Sequence, residues 1–216
     1  MESVTFKFKK ASCVVVGSFN IYIIHPKWLV KHKIIENEVE VAIQFNLEQA
    51  GFSYHIPKHK VTWNVAPDKI VVESEDPDVD CGDFLSKVLD KLPETPLFAI
   101  GNNVIYEAEK DELSLLAQPI RDFINTVSPI GSETLVQQSF HVALEREKYK
   151  ITNIQLSIKN DRFVLMCNVH TELRDRSDAW EAAVLATKQL IEDRNSVKPL
   201  VHHYFGMTIE HGTYNA

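Results

Sequence analysis

Asp76, Asp78 and Asp80 occupy alternate positions ahead of Gly82, the spacing with which carboxylates ligate calcium in an EF-hand loop. The loop's obligatory glycine and its closing bidentate glutamate would fall on Cys81 and Lys87, so the motif fails. With Glu73 and Glu75, the run reads instead as a solvated connection that brings negative charge to a helix N-terminus. Cys81 itself sits just before an expected helix start, where the dipole favours thiolate, while Asp78, Asp80 and Asp83 oppose it. His55 and His59 straddle Pro57, and His202, His203 and His211 cluster late in the chain, without the His-Glu-x-x-His or paired-cysteine spacing that zinc needs. No phosphate-cradling glycine loop and no Gly-x-Ser-x-Gly elbow is present. No catalytic residue, metal or cofactor is therefore assigned. The candidates for binding are Gly101, Asn102 and Asn103, read as a break within a strand, and the arginines Arg162, Arg174 and Arg176.

Composition bounds the partners. The 216 residues are 44% hydrophobic and 25% charged with a net charge of −7, which suits a chain able to bury a sizeable core. Residues 1–110 carry −4 and the remainder −3, so neither half is a basic arm. All six arginines follow residue 120. A duplex partner demands concentrated positive charge, so nucleic acid is disfavoured and a protein partner or homodimer is expected. No apolar run approaches the roughly 20 residues that cross a bilayer, and three unpaired cysteines without a leader segment suit a reducing cytoplasm.

The elements that must position these groups follow from hydrophobic period. Residues 6–24 read as a strand, and 26–34 as a short helix opened by Pro26. Residues 39–47 and 52–56 read as strands of period two. Residues 60–73 form the clearest hairpin, turning at Ala66-Pro67-Asp68-Lys69, where proline takes the first central position. Asp83 caps a helix to residue 92; a strand covers 97–106, and a helix containing Pro119 covers 112–125. In the second half 139–148 is a strand, and 151–169 a hairpin turning at Asn160-Asp161. A helix from Ser177 or Asp178 runs to Arg194, and a strand opens at Pro199-Leu200 and runs to Ile209.

Val61, Trp63, Val65, Asp68, Lys69, Ile70 and Val71 align without a gap on Ile154, Leu156, Ile158, Asp161, Arg162, Phe163 and Val164. The helix starts Asp83 and Asp178 and the pairs Pro96-Leu97 and Pro199-Leu200 follow in the same order. The fold expected is α+β: two similar lobes of duplicated hairpin–helix–strand units, forming a mainly antiparallel curved sheet with helices on one face. The first lobe takes residues 1–110, a helical connection 111–131, and the second lobe 132–216.

The segment Val14-Val15-Val16-Gly17-Ser18-Phe19-Asn20, followed by His25-Pro26-Lys27-Trp28-Leu29 and His32, resembles the opening of a sporadically distributed group of prokaryotic proteins. In that group a strand ending in Gly-x-Phe-Asn precedes a Pro-x-Trp-Leu helix, and a segment like residues 92–103 follows before the midpoint. The resemblance covers the first half. It implies no activity, since none is assigned to the group, and its sporadic distribution implies mobile or defence-associated gene clusters. At the level of architecture alone, the expected fold is similar to the duplicated saddle of TATA-binding-protein-like domains. The function expected is a non-enzymatic protein-binding or scaffold module. Two alternatives stand beside it: an enzyme with its site between the lobes, drawing on His, Asp and Cys81, and a nucleic-acid binder using Arg162, Arg174 and Arg176.

Overall fold

A computed structural model describes residues 4–36, 40–46, 51–109, 118, 120–122, 137–159 and 162–210. Its strands are β1 (Thr5–Gly17), β2 (Ala42–Asn46), β3 (Gly51–Ile56), β4 (Val61–Ala66), β5 (Lys69–Ser74), β6 (Leu97–Glu109), β7 (Gln137–Glu147), β8 (Lys150–Lys159), β9 (Arg162–Glu172) and β10 (Thr208–Glu210). Its helices are α1 (Pro26–Lys31), α2 (Cys81–Leu89), α3 (Ala179–Lys188) and α4 (Leu190–Phe205). All strands join one sheet in the order β2-β3-β4-β5-β1-β6-β9-β8-β7, with β10 parallel to the start of β1 and the remaining pairs antiparallel. The sheet is continuous, so the two expected lobes are two flanks of a single curved sheet meeting at the β1·β6 pair.

Alternation decides the two faces. Cys13 and Val15 of β1, Trp63 and Val65 of β4, Ile70 and Val72 of β5 and Ile100 of β6 are buried under α2 and α3. Val104, Tyr106, Ile154, Leu156, Phe163 and Leu165 form a second apolar cluster with Val197, Val201 and Phe205 of α4. Among the described residues, helices therefore cover one face only. Ser12, Val14, Asn103, Asn153 and Asn168, on the intervening positions, are only partly buried on the other.

The hairpin β4–β5 turns at Ala66-Pro67-Asp68-Lys69 as its proline dictates, with Ala66 paired to Lys69. Elsewhere the structure corrects the expectations. β1 ends at Gly17 rather than running to residue 24, because the Gly17 and Phe19 amides donate to the Asp68 and Pro67 carbonyls and Ser18 donates to Pro96. A Cβ at residue 17 would lie 2.6 Å from the Pro96 carbonyl oxygen, so this close approach needs glycine. Phe19, Ile21 and Ile24 enter the core from a turn instead. The helix begun at Pro26 stops at Lys31, short of residue 34. Asp80, not Asp83, caps α2, its carboxylate accepting from the Gly82 and Asp83 amides at 2.9 and 3.2 Å.

The expected helix to Arg194 is two helices broken at Gln189. Its amide donates to the Ala186 carbonyl in a tight turn, and that carbonyl also accepts from Asn102 Nδ2 at 2.8 Å. Pro199 lies inside α4 and does not open a strand: Leu190, Asp193, Val197, Val201 and Phe205 form one buried stripe at helical spacing, and that burial outweighs the proline's missing donor. β6 is not interrupted at Gly101-Asn102-Asn103. These residues pair with Val14, Cys13 and Ser12 on one side and with His170, Val169 and Asn168 on the other. The turn Asn160-Asp161 and most of the helix expected over 112–125 lie outside the described residues; residues 118 and 120–122 are helical.

Asn102 points to the helical side and joins a buried polar cluster. It donates to Asp193 Oδ2 at 2.8 Å, Asp193 pairs with Lys150 Nζ at 2.8 Å, and Lys150 also donates to Gln189 Oε1 at 3.1 Å. The cluster ties α4 to β6 and to the first residue of β8.

Candidate functional site

Registers between neighbouring strands assemble one transverse row on the uncovered face. His55 (β3) opposes Thr62 (β4), Thr62 opposes Glu73 (β5), Glu73 opposes Ser12 (β1), Ser12 opposes Asn103 (β6), Asn103 opposes Asn168 (β9) and Asn168 opposes Asn153 (β8). Side-chain hydrogen bonds run along it. Asn153 Nδ2 donates to Asn168 Oδ1 at 3.2 Å, Asn168 Nδ2 to Asn103 Oδ1 at 2.8 Å, and Asn103 Nδ2 to Ser12 Oγ at 3.3 Å. His141 Nε2 lies 3.3 Å from Asn153 Oδ1 and extends the row onto β7. A carboxamide has two amide protons and two oxygen lone pairs, so each asparagine in the row keeps polar capacity beyond its neighbours. The bonds between them fix the carboxamides in register before anything docks. Val14, Val71, Ile105 and Met166 flank the row and give it apolar edges.

The row ends in a groove of about 580 Å³ lined by Lys10, His55, Lys60, Thr62, Glu73 and Asp76, among others. Lys10 Nζ pairs with Glu73 at 3.0 Å and Lys60 Nζ with Asp76 at 2.6 Å; His55 Nδ1 lies 3.1 Å from Thr62 Oγ1. The Lys60 hydrogen bond, helped by the Asp78 amide, holds the Asp76 carboxyl below its usual range, so it stays ionised. Lys60 is 66% exposed in its side chain while Asp76 is 13% exposed, so the lysine reaches the carboxylate from the solvent side, where an incoming cation can take its place.

The candidates named from sequence separate in space. Gly101 and Asn103 lie on the open face and Asn102 on the covered one, as alternation in a central strand requires. Arg162 begins β9, with its guanidinium 3.3 Å from Glu107. Arg174 and Arg176 follow the far end of that strand, about 33 Å away at ~3.3 Å per residue. Arg174 stands 5.9 Å from the Phe98 ring, and Arg176 makes a two-pronged pair with Asp178 at 2.9 and 2.7 Å. The three arginines form no common patch. Cys81 is fully buried, with its Sγ 3.9 Å from the Ala11 carbonyl oxygen, and burial together with the Asp80 charge pushes its thiol up to about 12. That removes it as a thiolate nucleophile near neutral pH. Cys13 and Cys167 are likewise buried. Among the described residues no three histidine, cysteine or carboxylate side chains converge as metal ligands, and no helix is long and apolar enough to cross a membrane.

Ser12, Thr62, Asn153 and Asn168 were not singled out from the sequence, and Glu73, read there as part of a solvated connection, lies instead in β5. Their signal is a polar residue at an outward position in each of several consecutive strands, which gains meaning only when the registers are known. No protein-family model matches the chain, and no curated protein matches it.

Proposed function

We propose that the chain is a non-enzymatic protein-binding module, and that the uncovered sheet face is its binding surface. The observation that carries this reading is the row from His141 to His55, hydrogen-bonded from His141 to Ser12 and again between Thr62 and His55, which offers unspent hydrogen-bonding groups across the sheet and ends in a groove holding Glu73 and Asp76. With a net charge of −7, the favoured partner is basic, and one of its Lys or Arg side chains would replace Lys60 or Lys10 in the groove. We further read the sheet as two copies of one plan. β1 is followed by a meander whose last strand, β5, returns beside it, and β6 by a meander whose last strand, β9, does the same; α2 and α3 follow each return. This supports duplication with the join at β1·β6. The separation of Arg162 from Arg174 and Arg176, and the ion pairs that Arg162 and Arg176 make with Glu107 and Asp178, weigh against the nucleic-acid alternative.

The test compares proteins retained by the immobilised wild-type chain with those retained by Asn168→Arg and Glu73→Lys, each checked for an unchanged circular-dichroism spectrum. A bound protein whose retention falls at least about tenfold with either substitution, and weakens with added salt, supports the reading. Retention unaltered by both substitutions, or no retained protein, overturns it.

A further inference from the structure

The two end strands of the sheet differ in what they present. β7 carries Glu145, Arg146 and Glu147, the charges with which edge strands ordinarily resist pairing with another chain. β2 reads Ala42-Ile43-Gln44-Phe45-Asn46, with no charge, no proline and no lysine. Ile43 is 61% exposed and Phe45 52% exposed, although both lie on the same side of the strand as buried Tyr54. The Phe45 ring is held in place by Phe52 at 5.1 Å, which stacks in turn on Tyr54 at 6.0 Å. Among the described residues, an aromatic side chain is thus kept in water at an edge that carries neither charge nor proline.

We propose that β2 pairs antiparallel with β2 of a second copy of this chain, about a two-fold axis through Gln44. The strand is self-complementary in this register alone over its full length. Gln44 meets Gln44 of the second copy, and Ile43 meets Phe45 of the second copy twice by symmetry, as an isologous contact requires. A register one residue off would oppose apolar to polar faces. Two copies each bearing −7 repel, so a stretch without charge is where they can approach most closely. The axis stands perpendicular to the sheet, so both open faces come to lie on one side. The row Gln44–Ser53–Asn64–Val71–Val14 then continues through the Gln44 pair into the second copy. The dimer does not depend on which partner the open face takes.

Light scattering on a sizing column at about 100 μM chain should give twice the 24.7 kDa chain mass. The double variants Ile43→Lys/Phe45→Lys and Ile43→Glu/Phe45→Glu should each raise the dimer dissociation constant at least about 100-fold, because like charges then face each other, and mixing the two should restore a dimer. Gln44→Cys should crosslink to itself under mild oxidation and Ile43→Cys should not, since the native cysteines are buried and only residue 44 meets its own copy. A monomeric wild type, no rescue on mixing, or equal crosslinking from residues 43 and 44 overturns the proposal. The cysteine pair decides the matter even where a charged variant folds poorly.

Discussion

Removing either member of the Lys150–Asp193 pair should cost far more than removing both. Asp193 keeps 7% of its side-chain exposure and Lys150 18%, so each charge is largely withdrawn from water. Lys150→Met leaves the Asp193 carboxylate with Asn102 Nδ2 in place of a cation, and Asp193→Leu leaves Lys150 with only the Gln189 carboxamide. An uncompensated buried charge costs about 3–5 kcal/mol, and the partial exposure of Lys150 puts both single variants near the lower end, about 3 kcal/mol. The double variant carries no buried charge. Its remaining losses are the Asn102–Asp193 hydrogen bond, where Asn102 retains the Ala186 carbonyl, and the Lys150–Gln189 hydrogen bond, together about 1–2 kcal/mol. A coupling of about 4–5 kcal/mol follows. Urea unfolding of the four proteins measures it. At ~2–4 °C per kcal/mol for a chain of this size, each single variant should also melt about 6–12 °C lower, with the double variant within a few degrees of wild type. Additive losses, with the double variant the least stable of the four, would refute the claim that this pair is a coupled buried unit.

Two further outcomes follow from the join between α2 and α3. A Cβ at Gly82 would lie 1.9 Å from the Thr187 carbonyl oxygen, a backbone atom that cannot swing aside, so Gly82→Ala should destabilise by about 2 kcal/mol or more despite alanine's better helix propensity, read as a lower urea midpoint. Desolvation holds the Asp80 carboxyl above its usual range even though it caps α2. Its ionisation in the folded state is therefore disfavoured, a penalty complete above the folded pKa and absent below the unfolded value of about 3.9. Asp80→Asn keeps the capping oxygen and should match or exceed wild type at pH 7, with any advantage vanishing as pH falls towards 4; a variant weaker by a constant amount at every pH would contradict this.

What could be read in the sequence was what local chemistry decides. Pro67-Asp68 dictates a tight turn wherever the flanking strands go, and the stripe of Phe84, Leu85, Val88 and Leu89 makes a helix before any partner is known. Gly101-Asn102-Asn103 reads as a break because none of the three favours a strand, yet pairing on both sides and the anchoring of Asn102 to Asp193 hold it extended. Pro199 shows the reverse error, a strong local signal overruled by the packing of Val197, Val201 and Phe205. The polar row, Asn103 apart, lay beyond reach for a different cause. Ser12, Asn103 and Asn168 are ordinary outward residues until three strands far apart in the chain fall into register.

The position of β1 bears on how the chain comes to fold. Val14 at the middle of the sheet pairs with Val71 and Gly101, and Thr5 with Thr208, so the central strand precedes in the chain every strand it pairs with and is complete only when β10 is in place. Such long loop closures must be formed before their contacts reward them, which places this protein among slow folders. Until β5 and β6 have been synthesised, Cys13-Val14-Val15-Val16 is an apolar strand with both edges open, the state in which a nascent chain is most prone to pair wrongly. Lys7, Lys9 and Lys10 at the start of β1 put charge directly beside that strand, the placement by which flanking lysines oppose aggregation.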